Sequence, residues 1–245
     1  NASFTSLPEG LDKITKLTHL DLGGCGSLRT HRRAYNVDGL TECNNLNSLT
    51  FREASFTSLP EGLQKITKLT HLDLAGCRSL ENVDGLVNLI NLTNLNLYLC
   101  SSLKNVDGLA NCTNLNTLNL TDCESLQNVD GLANLINLTN LDLSSCESLQ
   151  NVDGLTNLTE ITILDLKDCG SLKTMDGLIS CIHITSLDLR GCDSLRSVSG
   201  LAGCTGLKFL NLRACSRVSP KPTPVVMENR RQVALYQEKI KNFMK

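Results

Sequence analysis

A nine-residue pattern of spaced leucines ending in cysteine recurs at a constant step along most of the chain. Residues Leu138–Cys146 read LTNLDLSSC, and eight variants begin at Leu17, Leu46, Leu69, Leu92, Leu115, Ile161, Ile184 and Leu207. From Leu46 onward each copy starts 23 residues after the previous one, and such a fixed period is typical of a solenoid. The first step is 29 residues because Thr30–Tyr35 (THRRAY) is inserted. The pattern therefore predicts one elongated repeat domain.

One copy and the residues after it indicate how each repeat folds. Leu72 and Leu74 alternate with polar neighbours, as in a short strand with one buried face. After Cys77 the apolar residues recur about every third position, which suits a turn followed by helical or 3₁₀ structure. In six repeats an aspartate precedes a Gly-Leu pair there, and we expect its carboxylate to cap the helical turn by accepting backbone N–H bonds. These aspartates are Asp38, Asp84, Asp107, Asp130, Asp153 and Asp176.

The copies resemble the strand consensus LxxLxLxx(N/C)xL of the leucine-rich repeat family, and only the second copy departs from it, with Ala54 in place of cysteine. The resemblance extends from about Ala2 to Val218. It implies an α/β fold, a right-handed solenoid with a parallel sheet on its concave face and short helical or 3₁₀ turns on its convex face. Ser3–Cys25 and Ser55–Cys77 carry the LPEGL turn common in bacterial and plant members. The other repeats resemble the short-repeat class of a phosphatase regulatory subunit, with a plant-like CxSL turn.

The twelve cysteines all fall at two positions of the repeat. Free cysteine behaves as a small buried apolar residue, so we interpret all twelve as structural rather than as a metal or disulfide system. Neighbouring thiols would lie about 4.8 Å apart, which predicts a reducing, cytoplasmic location. Eight form a cysteine ladder at the last position of the copies: Cys25, Cys77, Cys100, Cys123, Cys146, Cys169, Cys192 and Cys215. Four replace a leucine of the following GLxNLxN segment: Cys43, Cys112, Cys181 and Cys204.

Six Asn-x-Ser/Thr sequons favour the opposite location, because such sequences are glycosylated in secreted proteins. Most of them fall at one junction of the repeat, so copying a repeat also copies its sequon. We therefore give them less weight than the free thiols. They begin at Asn1, Asn91, Asn111, Asn119, Asn137 and Asn157.

The repeat pattern ends near Val218, which divides the chain into a solenoid (1–218, nine strand units and a partial N-terminal repeat), a proline-rich break (219–224) and a C-terminal helix (225–245). Thr223 as N-cap and Pro224 as first helical residue are predicted to open this helix. We interpret the helix as a cap on the last repeat; a partner-binding helix and the start of a further domain are alternatives. Its predicted apolar stripe is Val226, Val233, Tyr236, Ile240 and Phe243.

Composition and motifs favour neither an enzyme nor a charge-driven partner. The net charge of −2 gives no strong field toward nucleic acid or membrane, and no catalytic, cofactor-binding or metal-binding motif occurs. His19 and His71 share one strand position two repeats apart, about 10 Å, which is too far for a common zinc site. A row of aspartates on the strands is read as consensus rather than as an acid/base pair. Its members are Asp21, Asp73, Asp142, Asp165 and Asp188.

Residues that point outward from the strands and depart from the repeat average are the candidate binding residues, since exposed aromatic and arginine anchors are typical of protein-binding hot spots. Ion pairing of Lys167 and Arg190 with nearby aspartates, and packing of Phe209 beneath the C-terminal helix, are structural alternatives. His19 and His71 are weaker candidates. The predicted contacts are Tyr98, Leu99, Ile163, Lys167, Arg190, Phe209 and Arg213.

These observations predict a non-catalytic, cytoplasmic scaffold that binds a protein partner on its concave face. An alternative is the substrate-recognition part of a larger enzyme or bacterial effector, such as a ubiquitin ligase. It is suggested by the start of the sequence in mid-repeat and by the C-terminal helix. A weaker alternative, an extracellular receptor or adhesin, rests only on the sequons.

Overall fold

One three-residue strand per repeat forms a parallel sheet along the chain. The computed structural model describes residues 7, 10, 13–14, 16–24 and 37–245; the insertion Thr30–Tyr35 and Cys25 lie outside them. Neighbouring strands in sequence are neighbours in the sheet, and equivalent residues pair, as Leu49 does with Leu72. The parallel strands in the described residues are β1 (His19–Asp21), β2 (Ser48–Thr50), β3 (His71–Asp73), β4 (Asn94–Asn96), β5 (Thr117–Asn119), β6 (Asn140–Asp142), β7 (Ile163–Asp165), β8 (Ser186–Asp188) and β9 (Phe209–Asn211).

The sheet packs on the turns of the same repeats through a continuous apolar core. The middle residue of a strand points inward, so Leu141 is buried while its neighbours Asn140 and Asp142 are partly exposed. The same alternation recurs in β2 to β8, because side chains along a strand alternate between faces. This confirms a leucine-rich repeat solenoid with a concave sheet.

Short 3₁₀ helices form the convex side, as the spacing of three predicted. The predicted aspartate caps are wrong, however, because none of these helices has a side-chain cap. Asp84 is the first residue of its helix, and its own N–H is accepted by Asn82 Oδ1 at 3.3 Å. The helices span Asp38–Leu40, Leu63–Lys65, Asp84–Leu86, Asp107–Leu109, Asp130–Leu132, Asp153–Leu155, Asp176–Leu178 and Ser199–Ala202.

Glycine lets the convex turns of neighbouring repeats stack in contact. A Cβ on Gly154 would lie 2.0 Å from the carbonyl oxygen of Val129 and 2.9 Å from Asp130 Cα, both in the preceding repeat. Both atoms belong to the backbone, so no side chain can move away to make room. The glycine of the Asp-Gly-Leu motif thus permits this close stacking at Gly108, Gly131, Gly154 and Gly177.

All eleven described cysteines are free and buried, in agreement with a structural role. Each described ladder thiol donates a hydrogen bond to a backbone carbonyl 26 residues earlier, in the preceding repeat, with Sγ–O distances from 3.0 to 3.4 Å. Burial raises the pKa of Cys77 to about 12, so this thiol stays protonated at neutral pH. The ladder thus ties neighbouring repeats together with uncharged groups.

These buried thiols make stability sensitive to alkaline pH. Burial raises the pKa of Cys112 and Cys181 to about 11 from the ordinary 9.0. Above pH 9 the unfolded chain therefore binds fewer protons than the folded one, and the free energy of unfolding falls as pH rises. Leucine occupies the equivalent position at Leu89 and Leu135, so Cys112→Leu with Cys181→Leu suits the fold. We expect this double variant to lose about 4–5 kcal/mol less than the wild type between pH 8 and pH 11, measured by urea unfolding. Equal losses would contradict ionisation of these thiols.

The C-terminal segment adds an antiparallel strand and a helix to the last repeat. β10 (Val226–Met227) pairs antiparallel with β9, and α1 (Arg230–Phe243) follows it. The predicted helix start at Thr223 and Pro224 is therefore wrong: Asn229 is the N-cap, and its side chain accepts from the N–H of Gln232. The intervening residues are extended because they complete the sheet edge. The peptide bonds preceding Pro220 and Pro224 are cis.

α1 packs on the last repeat through Val233, Tyr236, Gln237 and Ile240, while Phe243 of the predicted stripe is 63% exposed. Phe243 lies beyond the last packed turn, so helical spacing alone overestimated the contact.

Polar groups also join α1 to the last repeat. Gln237 Nε2 donates to the carbonyl oxygens of Leu201 (2.7 Å) and Cys204 (2.9 Å). Tyr236 donates its hydroxyl proton to the Pro220 carbonyl at 2.7 Å.

In the described part of the chain, no helix combines the length and the apolar character needed to cross a membrane.

Candidate partner-binding face

The in-register strands place equivalent residues in rows across the concave face. The third residues of the nine-residue copies form one such row, in which His19 and His71 are separated by Ser48. The row continues through Asn94, Thr117, Asn140, Ile163, Ser186 and Phe209. The face is therefore mostly polar, and the apolar members of the row lie toward its C-terminal end.

The aspartates and asparagines at the fifth position of the nine-residue copies have a structural role. An Oδ1 of each accepts the N–H of the residue two positions later at 2.8–3.1 Å, which ends the strand. Burial is the main cause that raises the pKa of Asp165, and the nearby carboxylates of Asp142 and Asp188 raise it further. The hydrogen bond from the Lys167 N–H acts on this pKa in the opposite direction. All members make the same bond, Asp165 included, so this bond belongs to the repeat structure. Within the described residues no group of three or more potential ligands is arranged to hold a metal ion.

The eighth residue of each copy has a left-handed backbone, which changes the interpretation of Leu99. Its φ is +58°, and every equivalent described residue also has a positive φ, whether glycine or not. A left-handed backbone is costly for most L-residues, which explains why Gly and Asp are the residue types that recur at this position. Leu99 is thus part of a turn and half-buried, rather than an exposed neighbour of Tyr98 on a strand. The small residues at its equivalents were the sequence signal for this turn.

The predicted apolar contacts do not form one cluster. Tyr98 is 39% exposed in the turn after β4, and Ile163 is 59% exposed on β7, three strands or about 14 Å further along. Phe209 on β9 is only half-exposed, where β10 joins the sheet. Tyr98 and Ile163 are therefore separate apolar points on a polar surface.

The basic residues at the seventh position of the nine-residue copies differ in whether they form an ion pair. Arg52 forms an ion pair with Asp73 of the next repeat, with an Nη2–Oδ2 distance of 2.6 Å. Lys167 forms one with Asp168, with an Nζ–Oδ2 distance of 3.3 Å. Arg190 and Arg213 are exposed, and neither guanidinium has an ion-pair or hydrogen-bond partner among the described residues.

Lys167 pairs with the residue that directly follows it, whereas a glycine follows Arg190 and an alanine follows Arg213. Neither arginine has an aspartate in a following repeat either. The residue equivalent to Asp73 is Asn211 for Arg190, which carries no charge and is buried, and no further repeat follows Arg213. The predicted ion pair is therefore present for Lys167 and absent for Arg190. Two free guanidinium groups close the C-terminal end of the face.

A shallow hollow over β2–β5, which the sequence reasoning missed, has a volume of about 410 Å³. His71 lies at its edge, with Nδ1 2.8 Å from Thr70 Oγ1. No single sequence feature marks it, because it arises from small polar side chains on neighbouring strands. The polar lining includes Ser48, Thr50, Asn94, Asn96, Thr117 and Asn119.

Comparisons with known proteins agree with this architecture. A family model described as "Leucine Rich repeat" matches residues 65–85 and 180–202. An internalin C2 from Listeria monocytogenes is similar at 25% identity with a TM-score of 0.61, over 82% of this chain and 81% of that chain. The leucine-rich repeat domain of the type III effector XCV3220 (XopL) is similar at 22% identity and TM-score 0.62, over 82% and 70%.

A chain of the Toll–Spätzle complex from Drosophila is similar at 21% identity and TM-score 0.68, over 87% of this chain and 29% of that one. No curated protein matches the sequence. The parallel sheet, the 3₁₀ turns and these likenesses establish that the chain is a leucine-rich repeat solenoid.

Proposed function

We propose that this chain is a non-catalytic scaffold that binds a protein partner on its concave face. The observation that carries the proposal is the exposure of Ile163 on the sheet and of Tyr98 in the turn after β4, on a face that is mostly polar. Exposed aromatic and aliphatic anchors within a polar surround are typical of protein interfaces.

The size of the face supports the same function. Nine strands at about 4.8 Å extend roughly 40 Å, enough for a standard protein interface. The fold itself, shared with bacterial and receptor leucine-rich repeat proteins, suggests protein–protein interaction.

Loss of the aromatic anchor tests the proposal. We expect Tyr98→Ala to weaken capture of the native partner at least about tenfold, since truncating a hot-spot aromatic typically costs more than 1 kcal/mol. Cross-linking mass spectrometry of the native complex would identify the partner, and titration with the purified partner would give the affinity. Ile136→Ala is the matched control, because Ile136 is 56% exposed but lies outside the strands. If the two variants bind equally well, the concave face is not the binding surface.

We propose a reducing compartment, the cytoplasm, as the location of the protein. Support comes from eleven free, buried thiols that form no disulfide within the described residues. The interpretation as the recognition part of a larger enzyme or effector stays a prediction, as does that of an extracellular receptor. Full-length gene sequence and thiol counting in native protein distinguish the three.

A further inference from the structure

We propose that the C-terminal end of the concave face binds a carboxylate-rich segment of the protein partner, through Arg190 and Arg213. The inference rests on the proposed function and adds the chemistry of the partner. Both guanidinium groups are exposed and have no partner within the described chain, whereas Arg52 at the same repeat position is paired with Asp73.

The two arginines are side by side. Asp188 pairs with Asn211 in the β8–β9 register, and each arginine follows its strand residue by two positions. Their backbones therefore lie about 5 Å apart. Guanidinium groups have a planar fork of donors that matches a carboxylate, so this pair can bind neighbouring acidic side chains of one segment.

The charge of the surrounding region complements an acidic partner. From Lys208 to the C-terminus there are nine Lys/Arg and two Glu, a net +7, whereas 1–207 contains 14 Lys/Arg and 23 Asp/Glu, a net −9. β10 and α1 fold onto β9 and so bring their positive charges to the same end. A pole of one sign attracts partners of the opposite sign and raises their association rate.

Carboxylates next to the arginines favour a peptide over a nucleic acid. Asp165 and Asp188 lie in the row beside the basic row. They would repel a continuous run of phosphates, while a peptide can place its carboxylates only where the arginines are. Asp188 Oδ1 accepts the backbone N–H of Arg190 at 2.9 Å, and among the described residues no ion pair joins Asp188 to the Arg190 guanidinium.

Fluorescence anisotropy with a labelled twelve-residue peptide of alternating glutamate and serine tests the inference. We expect the wild type to bind this peptide and not its glutamine counterpart, and Arg190→Gln or Arg213→Gln to weaken binding about tenfold each. Arg52→Gln removes the same charge from the same repeat position, so it should change the affinity less than about twofold. Circular dichroism verifies that all three variants are folded.

Three results would overturn the inference. The first is that the wild type does not bind the glutamate peptide. The second is that Arg52→Gln and Arg190→Gln lose the same affinity for this peptide. The third is that the wild type binds a twelve-nucleotide single-stranded DNA or phosphatidylserine vesicles more tightly than the peptide. The native partner separates this proposal from the scaffold function. If Tyr98→Ala abolishes capture and the arginine variants do not affect it, the scaffold function stands and the acidic segment is wrong.

Discussion

Replacing Gly154 by alanine is expected to lower the free energy of unfolding by about 3 kcal/mol, at the upper end of overpacking costs. The added Cβ would lie 2.0 Å from the oxygen and 2.6 Å from the carbon of the Val129 carbonyl. These atoms belong to the backbone of the neighbouring repeat, so relief requires the two repeats to separate. Urea unfolding followed by circular dichroism measures the change.

Two other glycines serve as controls for Gly154→Ala. A Cβ on Gly170 would meet no atom within 4 Å, so Gly170→Ala should leave stability unchanged or raise it slightly. Gly85 occupies the same motif but follows an LPEGL repeat, and the nearest atom to its added Cβ is Leu59 Cβ at 3.2 Å, so a shift of a few tenths of an ångström relieves the contact. Gly85→Ala should therefore have an intermediate cost. Equal unfolding midpoints for Gly154→Ala and Gly170→Ala would show that the turns are not in close contact.

Replacing Gln237 by alanine is expected to cost about 2 kcal/mol, because a buried amide loses its two hydrogen bonds to carbonyl groups that each keep a backbone donor. Those groups, on Leu201 and Cys204, belong to the last convex turn, and the Gln237 Oε1 also accepts from Arg230 at 2.8 Å. The measurement is again urea unfolding of the full chain.

The matched control for Gln237→Ala is Asn242→Ala, an amide removed from the exposed side of the same helix. A large loss for Gln237→Ala alone supports the interpretation of α1 as a cap on the solenoid. Equal small losses would instead favour the alternative of a partner-binding helix.

The strands and the inward residues could be predicted from the sequence because both depend only on the repeat itself. Every copy presents the same leucines at the same step, so stacking them in register buries all of them together. The cysteines followed from the same argument, since their spacing assigned them to the core.

The features that sequence reasoning missed depend on backbone geometry or on a neighbouring repeat. Leu99 was interpreted as a surface residue because a left-handed turn leaves no pattern of spaced apolar residues in the sequence. The glycines at the equivalent positions of other repeats were the signal for this turn. Asp84 was taken as a cap, whereas the accepting group is Asn82, two residues earlier. The start of α1 was misplaced because Val226 and Met227 complete the sheet, a tertiary contact that helix signals around Pro224 do not contain.

The pairing of Arg52 with Asp73 has a consequence for how such a binding face could change in evolution. Arg52, at the seventh position of its copy, forms its ion pair with an aspartate 21 residues later, in the following copy. Whether an arginine can form this kind of pair therefore depends on the repeat after it, and no repeat follows the last one. Duplicating a repeat that carries the aspartate would neutralise an arginine without altering it, and would move the unpaired charge outward by one strand.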